Sequence, residues 1–107
     1  MWHTFEWASS YDGGYGSDNY FVALTSDGLI RANNSNDVIG VSLHTRDPKI
    51  WKNRSDVGLF GIMKVYDDGT CTPGQKCIAT SGGIATSGDK WLVVKRVTPK
   101  LITVLYK

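Results

Sequence analysis

Glutamate occurs only once in this chain, at Glu6, while aspartate occurs nine times. Aspartate bonds to nearby backbone and favours turns over helix interiors, so the bias speaks against a helical protein. No apolar run approaches the roughly 20 residues that a helix needs to span a bilayer. Met1-Trp2-His3 lacks the basic start and apolar stretch of a secretory signal, so no secretion and no membrane partner are expected. The net charge is only +2, too small and too dispersed for a nucleic-acid binder. There are two cysteines and two histidines, with neither C-x-x-C nor H-x-x-x-H spacing, so no metal site and no cofactor are expected. Cys71 and Cys77 flank Thr72-Pro73-Gly74, and a turn there can place them opposite each other. Without a secretion signal, free thiols are the expected state. No phosphate-binding glycine loop occurs in a strand-to-helix context, and Asp67-Asp68-Gly69 lacks the remaining ligands of a calcium loop.

What is present is a run of β-branched and aromatic segments cut by turn residues. Val57–Tyr66 is followed by Asp67-Asp68-Gly69 and Thr72-Pro73-Gly74 precedes Lys76–Ala79. Ser81-Gly82-Gly83 precedes Ile84–Thr86, Ser87-Gly88-Asp89 precedes Lys90–Val97, and Thr98-Pro99 leads into Lys100–Tyr106. No helical period fits this pattern. Upstream, Tyr20–Leu24, the turn Thr25-Ser26-Asp27-Gly28 and Leu29–Ala32 read as a hairpin. Val38–Leu43 is a further strand, whose Gly40 marks a close approach of backbone. Asp47-Pro48 is the one helix-start signal and allows a turn or two at most. The fold class is therefore all-β: a compact antiparallel sandwich or barrel of short strands in a single domain, 1–107. The echo between Ile78–Gly82 and Ile84–Gly88 reads as a ribbon, and no long-period repeat is visible.

Strand alternation then poses a problem of coverage. In the last two segments Trp91, Val93, Leu101 and Leu105 alternate with Leu92, Val94, Ile102, Val104 and Tyr106, so neither strand has a properly polar face. At roughly 25 cal/mol per Å² of apolar area, leaving several such side chains wet forgoes several kcal/mol. Either the domain encloses these strands itself, or another chain covers them. On the second reading Trp91, Val93, Leu101, Ile102, Val104, Leu105 and Tyr106 form an oligomer interface.

Candidate chemistry is sparse. Glu6, between Phe5 and Trp7, and Asp37 are the candidate acid–base residues, although an outward Glu6 on an alternating strand is the simpler reading. Trp2, Trp7, Tyr11 and Tyr15, spaced by small polar residues, are candidate stacking residues for a sugar or peptide, or alternatively plugs for a barrel end.

Several segments in order carry a family likeness. They are Phe5-Glu6-Trp7, Tyr20–Leu24 with Gly28–Asn33, Asn36–Ser42, Val57–Gly61, Asp68-Gly69-Thr70 with Pro73-Gly74, Gly83–Ser87, and Lys95-Arg96-Val97 leading into Ile102–Leu105. Together they resemble the C-terminal autoprocessing domain of bacteriophage tailspike and neck-appendage proteins. The Pro-Gly turn before Gly83-Ile84-Ala85 also resembles the β-clip ribbon of trimeric capsid cement proteins. The resemblance implies a virion structural or assembly-chaperone module, a homotrimer built on β surface, whose partners are other virion proteins in the virion or the host cytoplasm. It also implies release by self-cleavage just upstream of Phe5-Glu6-Trp7. Here the residues before that segment are Trp2-His3-Thr4, and the connection from Ser42 to Val57 lacks the family's long insertion, so self-cleavage does not carry over residue by residue.

Overall fold

The computed structural model describes residues 1–8, 17–45 and 54–107, with the side chains of residues 44 and 45 excepted. Ten strands follow one another: β1 (Trp2–Glu6), β2 (Phe21–Thr25), β3 (Gly28–Arg31), β4 (Val38–Thr45), β5 (Arg54–Gly58), β6 (Gly61–Tyr66), β7 (Lys76–Thr80), β8 (Ile84–Gly88), β9 (Trp91–Thr98) and β10 (Leu101–Tyr106). They form two antiparallel five-stranded sheets, so the all-β expectation holds. Single 3-10 turns occur at Ser35–Asp37, capped by the Asn34 side chain, and at Ser81–Gly83. The helix start expected at Asp47-Pro48 lies outside the described residues.

The segment Val57–Tyr66, which alternation presents as one strand, is broken. β5 ends at Gly58, and β6 begins at Gly61 in the other sheet. Gly61 takes φ +120°, a conformation that L side chains rarely adopt, and this turn passes the chain from one sheet to the next.

The two sheets repeat one topology. Their strand orders are β1-β5-β4-β2-β3 and β6-β10-β9-β7-β8, the second being the first advanced by five strands. Registers correspond pair by pair. His3↔Val57 matches Met63↔Val104, Val41↔Gly58 matches Leu92↔Leu105, and Val22↔Gly40 matches Cys77↔Trp91. Leu24↔Leu29 matches Ala79↔Ala85. Even the bulge is shared: Leu43 in β4 and Val94 in β9 are the extra residues, each between two paired neighbours. Each sheet then curls until its edges meet at one parallel bridge, Trp7↔Leu29 in the first and Asp67↔Ala85 in the second. The residue after each bridge donates its backbone N–H to the same third strand, Ala8 to Leu29 at 2.9 Å and Asp68 to Ala85 at 3.0 Å. The chain is thus two small barrel-like lobes of identical plan. No long-period repeat was expected from the sequence, because the matched positions share little chemistry: Trp7 corresponds to Asp67 and Phe21 to Lys76.

The first lobe is filled by Trp7, Val22, Leu29 and Val57, with Phe5, Ile39 and Leu59 packed against them. The second is filled from β6, β7, β8, β9 and β10 by residues including Met63, Val65, Cys77, Ala85, Val93, Ile102 and Val104. Phe21, Ala23, Ala32 and Val41, on the outside of the first lobe, belong to this second core and dock the lobes together. Phe21 stacks on Trp91 with ring centroids 4.8 Å apart, and the Tyr106 hydroxyl donates to the Val38 carbonyl at 3.2 Å. The pair of lobes measures 39 × 23 × 23 Å.

Gly40 shows how tightly the first lobe is built. A Cβ there would run into the carbonyl oxygen of Gly58 and lie 2.8 Å from Val57 Cγ1, the close backbone approach expected of this glycine. Gly40→Ala is expected to cost about 2 kcal/mol or more through overpacking. Chemical denaturation checks this, and a variant as stable as the parent would show that the strands have room to part.

Candidate functional site

The outer face of β6, β10 and β9 carries Ile62, Leu105, Leu92 and Val94 around the polar row Lys64, Thr103 and Lys95. Ile62 is 65% exposed, Val94 43% and Leu92 38%, an apolar stretch on a surface otherwise edged with lysine. The interface expected from the sequence is corrected in its membership. Val93, Ile102, Val104 and Tyr106 are buried in the chain's own core and present nothing to a partner, and Trp91 is buried there too at 4% exposure, with only an edge reaching the surface. Only Leu101 and Leu105 of that set lie on the outer side, both half-buried. The reason is enclosure: one face of each strand is covered by curling of the sheet and by docking of the first lobe. The greasy side chains thus split into a core set and a surface set.

The candidate catalytic residues are not brought together in an active arrangement. Glu6 is exposed at the end of β1, opposite Arg54 of β5. Asp37 is exposed on the first 3-10 turn, where its carboxylate accepts from Asn34 Nδ2 at 3.2 Å. Of the candidate stacking residues, Trp7 is 2% exposed inside the first lobe, its indole N–H donating to Ser55 Oγ at 2.8 Å. It is a plug, held by the partner that a buried indole needs. Trp2 is 59% exposed on β1. Tyr11 and Tyr15 lie outside the described residues.

The strongest electrostatic feature joins Asp67, which by sequence belongs to a turn segment, to Arg96 of β9, and no local pattern pairs the two. Arg96 grips the fully buried Asp67 carboxylate with both arms, Nη2 to Oδ2 at 2.7 Å and Nη1 to Oδ1 at 3.1 Å. The same guanidinium donates to the carbonyls of Cys71 at 2.7 Å, Thr98 at 3.0 Å and Pro99 at 3.1 Å. Burial alone pushes the Asp67 carboxyl up, but hydrogen bonds from Arg96 and from the Cys71 and Gly69 amides outweigh it and hold the group below its ordinary value. Asp68 is likewise held low against its partial burial, by the Thr70 and Thr86 hydroxyls, which donate at 2.6 Å each.

Asp67, Asp68 and Cys71 bring their ligand atoms within 4.8 Å of one another. The donor set suits hydrogen bonding better than a cation: Arg96 occupies Asp67, threonine hydroxyls occupy Asp68, and Cys71 stays a thiol. Burial, then the neighbouring Cys77 and Asp67, push the Cys71 thiol up to about 12. Burial pushes Cys77 to about 11, against the lowering effect of a hydrogen bond with Cys71. Both are free, buried and far from the thiolate form that a nucleophile requires.

No protein family and no curated protein matches this sequence. Solved structures do match its fold. The C-terminal fragment of gene product 12 of bacteriophage phi29 superposes with a TM-score of 0.80 at 21% identity, over 100% of this chain and 99% of that one. The pre-mature form of phi29 gene product 12 superposes with a TM-score of 0.74 at 20% identity, over 100% of this chain, which spans 22% of that longer protein. The fold of this chain is the fold of that phage fragment, from end to end.

Two outcomes follow from the buried groups. Arg96→Ala strands a carboxylate in the second lobe and is expected to cost about 3 kcal/mol. Because the Asp67 value is lowered on folding, its contribution is complete above its ordinary 3.8 and is lost as the pH falls below that. Denaturation curves between about pH 6 and pH 2 should therefore fall less steeply for Asp67→Asn than for the parent. Equal slopes would remove the ion pair as the source. The thiols give the opposite sign. Their raised values leave stability intact below about 9 and erode it as the pH climbs towards about 11 to 12. A thiol reagent at neutral pH should label neither cysteine until the chain unfolds, and rapid labelling of the native chain would contradict their burial.

Proposed function

We propose that this chain is a structural or assembly domain of a phage appendage protein, working as a homotrimer in contact with other virion proteins. The observation that carries this reading is the likeness over the full chain to the C-terminal fragment of phi29 gene product 12. The apolar outer face of β6, β9 and β10 supports it, since exposed clusters of this kind mark surfaces that associate. The domain accounts for 22% of the pre-mature phi29 protein, so a counterpart here serves as a module of a larger assembly. Its place is the virion, or the host cytoplasm while the virion is being built.

The same likeness keeps a processing role in view, because the longer phi29 protein is a pre-mature form. The geometry favours it less. Glu6 and Asp37 sit on separate exposed elements, and the two cysteines are held as buried thiols.

Light scattering on the purified chain at tens of micromolar tests the reading, with three times the 11.8 kDa chain mass expected. A stable monomer under those conditions would overturn it.

A further inference from the structure

The duplicated plan sets one face of the first lobe beside the equivalent face of the second. In the first lobe the outer face around Phe21 and Val41 is sealed against the second lobe, and both residues are 0% exposed. Register equivalence maps Phe21 to Lys76 and Val41 to Leu92, since Phe21↔Val41 corresponds to Lys76↔Leu92. In the second lobe this same face is open. It forms a shallow groove lined by Lys76, Lys90, Trp91, Leu92, Leu105 and Lys107, apolar at the centre and basic at the rim.

We propose that this groove receives the first lobe of a second copy of the chain, repeating between molecules the docking already made within each one. The proposal rests on the homotrimer reading above and names the contact behind it. The internal contact supplies the template. There, the β7–β8 loop of the second lobe reaches the first lobe at Gly83, which lies against Phe21, Tyr20 and Arg31, and Gly83 N donates to Ala32 O at 2.8 Å. The equivalent of that loop in the first lobe is the β2–β3 turn, because Thr25↔Gly28 corresponds to Thr80↔Ile84. Its tip is the exposed Asp27.

Repeating the contact brings Asp27 of one copy to Lys76 of the next. It also brings Glu6, the counterpart of Tyr66, to Gln75, the counterpart of Tyr20, since Tyr66 and Tyr20 pair across the internal contact at 5.1 Å. Two exposed carboxylates thus approach a rim of three lysines, and the charges are complementary. Donor and acceptor surfaces lie on opposite lobes, so the contact is heterologous and must close into a ring to give a defined oligomer.

The experiment is a charge swap read by native mass, with circular dichroism confirming the fold. Lys76→Glu and Asp27→Lys, each alone, should weaken self-association roughly tenfold or more, and the double variant should restore it. Leu92→Asp, at the apolar centre, should give a folded monomer. If the parent is a trimer and all three single variants remain trimeric, the groove is not the contact, although the assembly reading stands. Singles that weaken without rescue in the double variant would overturn the Asp27–Lys76 juxtaposition. A parent that is monomeric at tens of micromolar overturns both. A ladder of growing masses supports the contact and removes the closed trimer.

Discussion

Closing a sheet of five short strands on itself is the constraint to which the rest of this chain answers. An open sheet of this size leaves two edges with unpaired N–H and C=O groups, which invite foreign strands. Each lobe meets that demand with one parallel bridge, made by the residue that follows its first strand. At that residue the chain must leave the sheet without leaving a gap, so its side chain has to be anchored. Trp7 is anchored by Ser55, and Asp67 by Arg96. The two solutions differ because the spaces differ. The first lobe is drawn tight at Gly40 and filled by the Trp7 indole together with Val22, Leu29 and Val57. The second is lined with aliphatic side chains and thiols, and ties off its end with an ion pair that also holds three carbonyls.

The shared bulge makes the second solution possible. Strict alternation from Val93 would point Lys95 inward and Arg96 outward. The extra residue at Val94 reverses the phase, so Arg96 lies opposite Ile102 on the inner side while Val94 and Lys95 both face water. The equivalent bulge at Leu43 in the first lobe places Thr45 at the corresponding register position, opposite Ser55. One backbone irregularity therefore decides where the guanidinium goes, and with it the stability of the carboxylate that closes the lobe.

This also fixes what could be read from the residues alone. Turn chemistry at Thr25–Gly28, Thr72-Pro73-Gly74 and Ser87–Asp89 and the β-branched runs between them are local signals, and they led to strands close to those observed. The close approach at Gly40 was legible for the same reason. The break at Gly58–Gly61 was not, because apolar residues continue across it and only the tertiary change of sheet interrupts the strand. The Asp67–Arg96 pair was hidden by a bulge that no alternation pattern announces. The duplication was hidden because equivalent positions face different neighbours: Phe21 meets an aromatic cluster, while Lys76 meets water. Membership of the proposed surface was half legible, since two-sided greasiness is visible in sequence but which side a curled sheet encloses is not.

That last difference shows how one backbone plan serves two ends. Where the outer face is covered within the chain, it carries Phe21 and Val41, and their burial holds the lobes together. Where the same face stays open, a phenylalanine would leave a permanently exposed ring. Lysine at position 76 keeps the face hydrated and repels unpaired copies through like charge. Yet a lysine stem is four methylenes long and lies along an apolar surface with its ammonium at the margin. The face therefore retains an apolar floor at Leu92 and Leu105 under a basic rim. On the proposed contact, a surface of that composition would favour an acidic partner, because a neutral one would desolvate the lysines without compensation. Selectivity of this kind would suit the proposed assembly role, in which a module stays dispersed until the right neighbour reaches it.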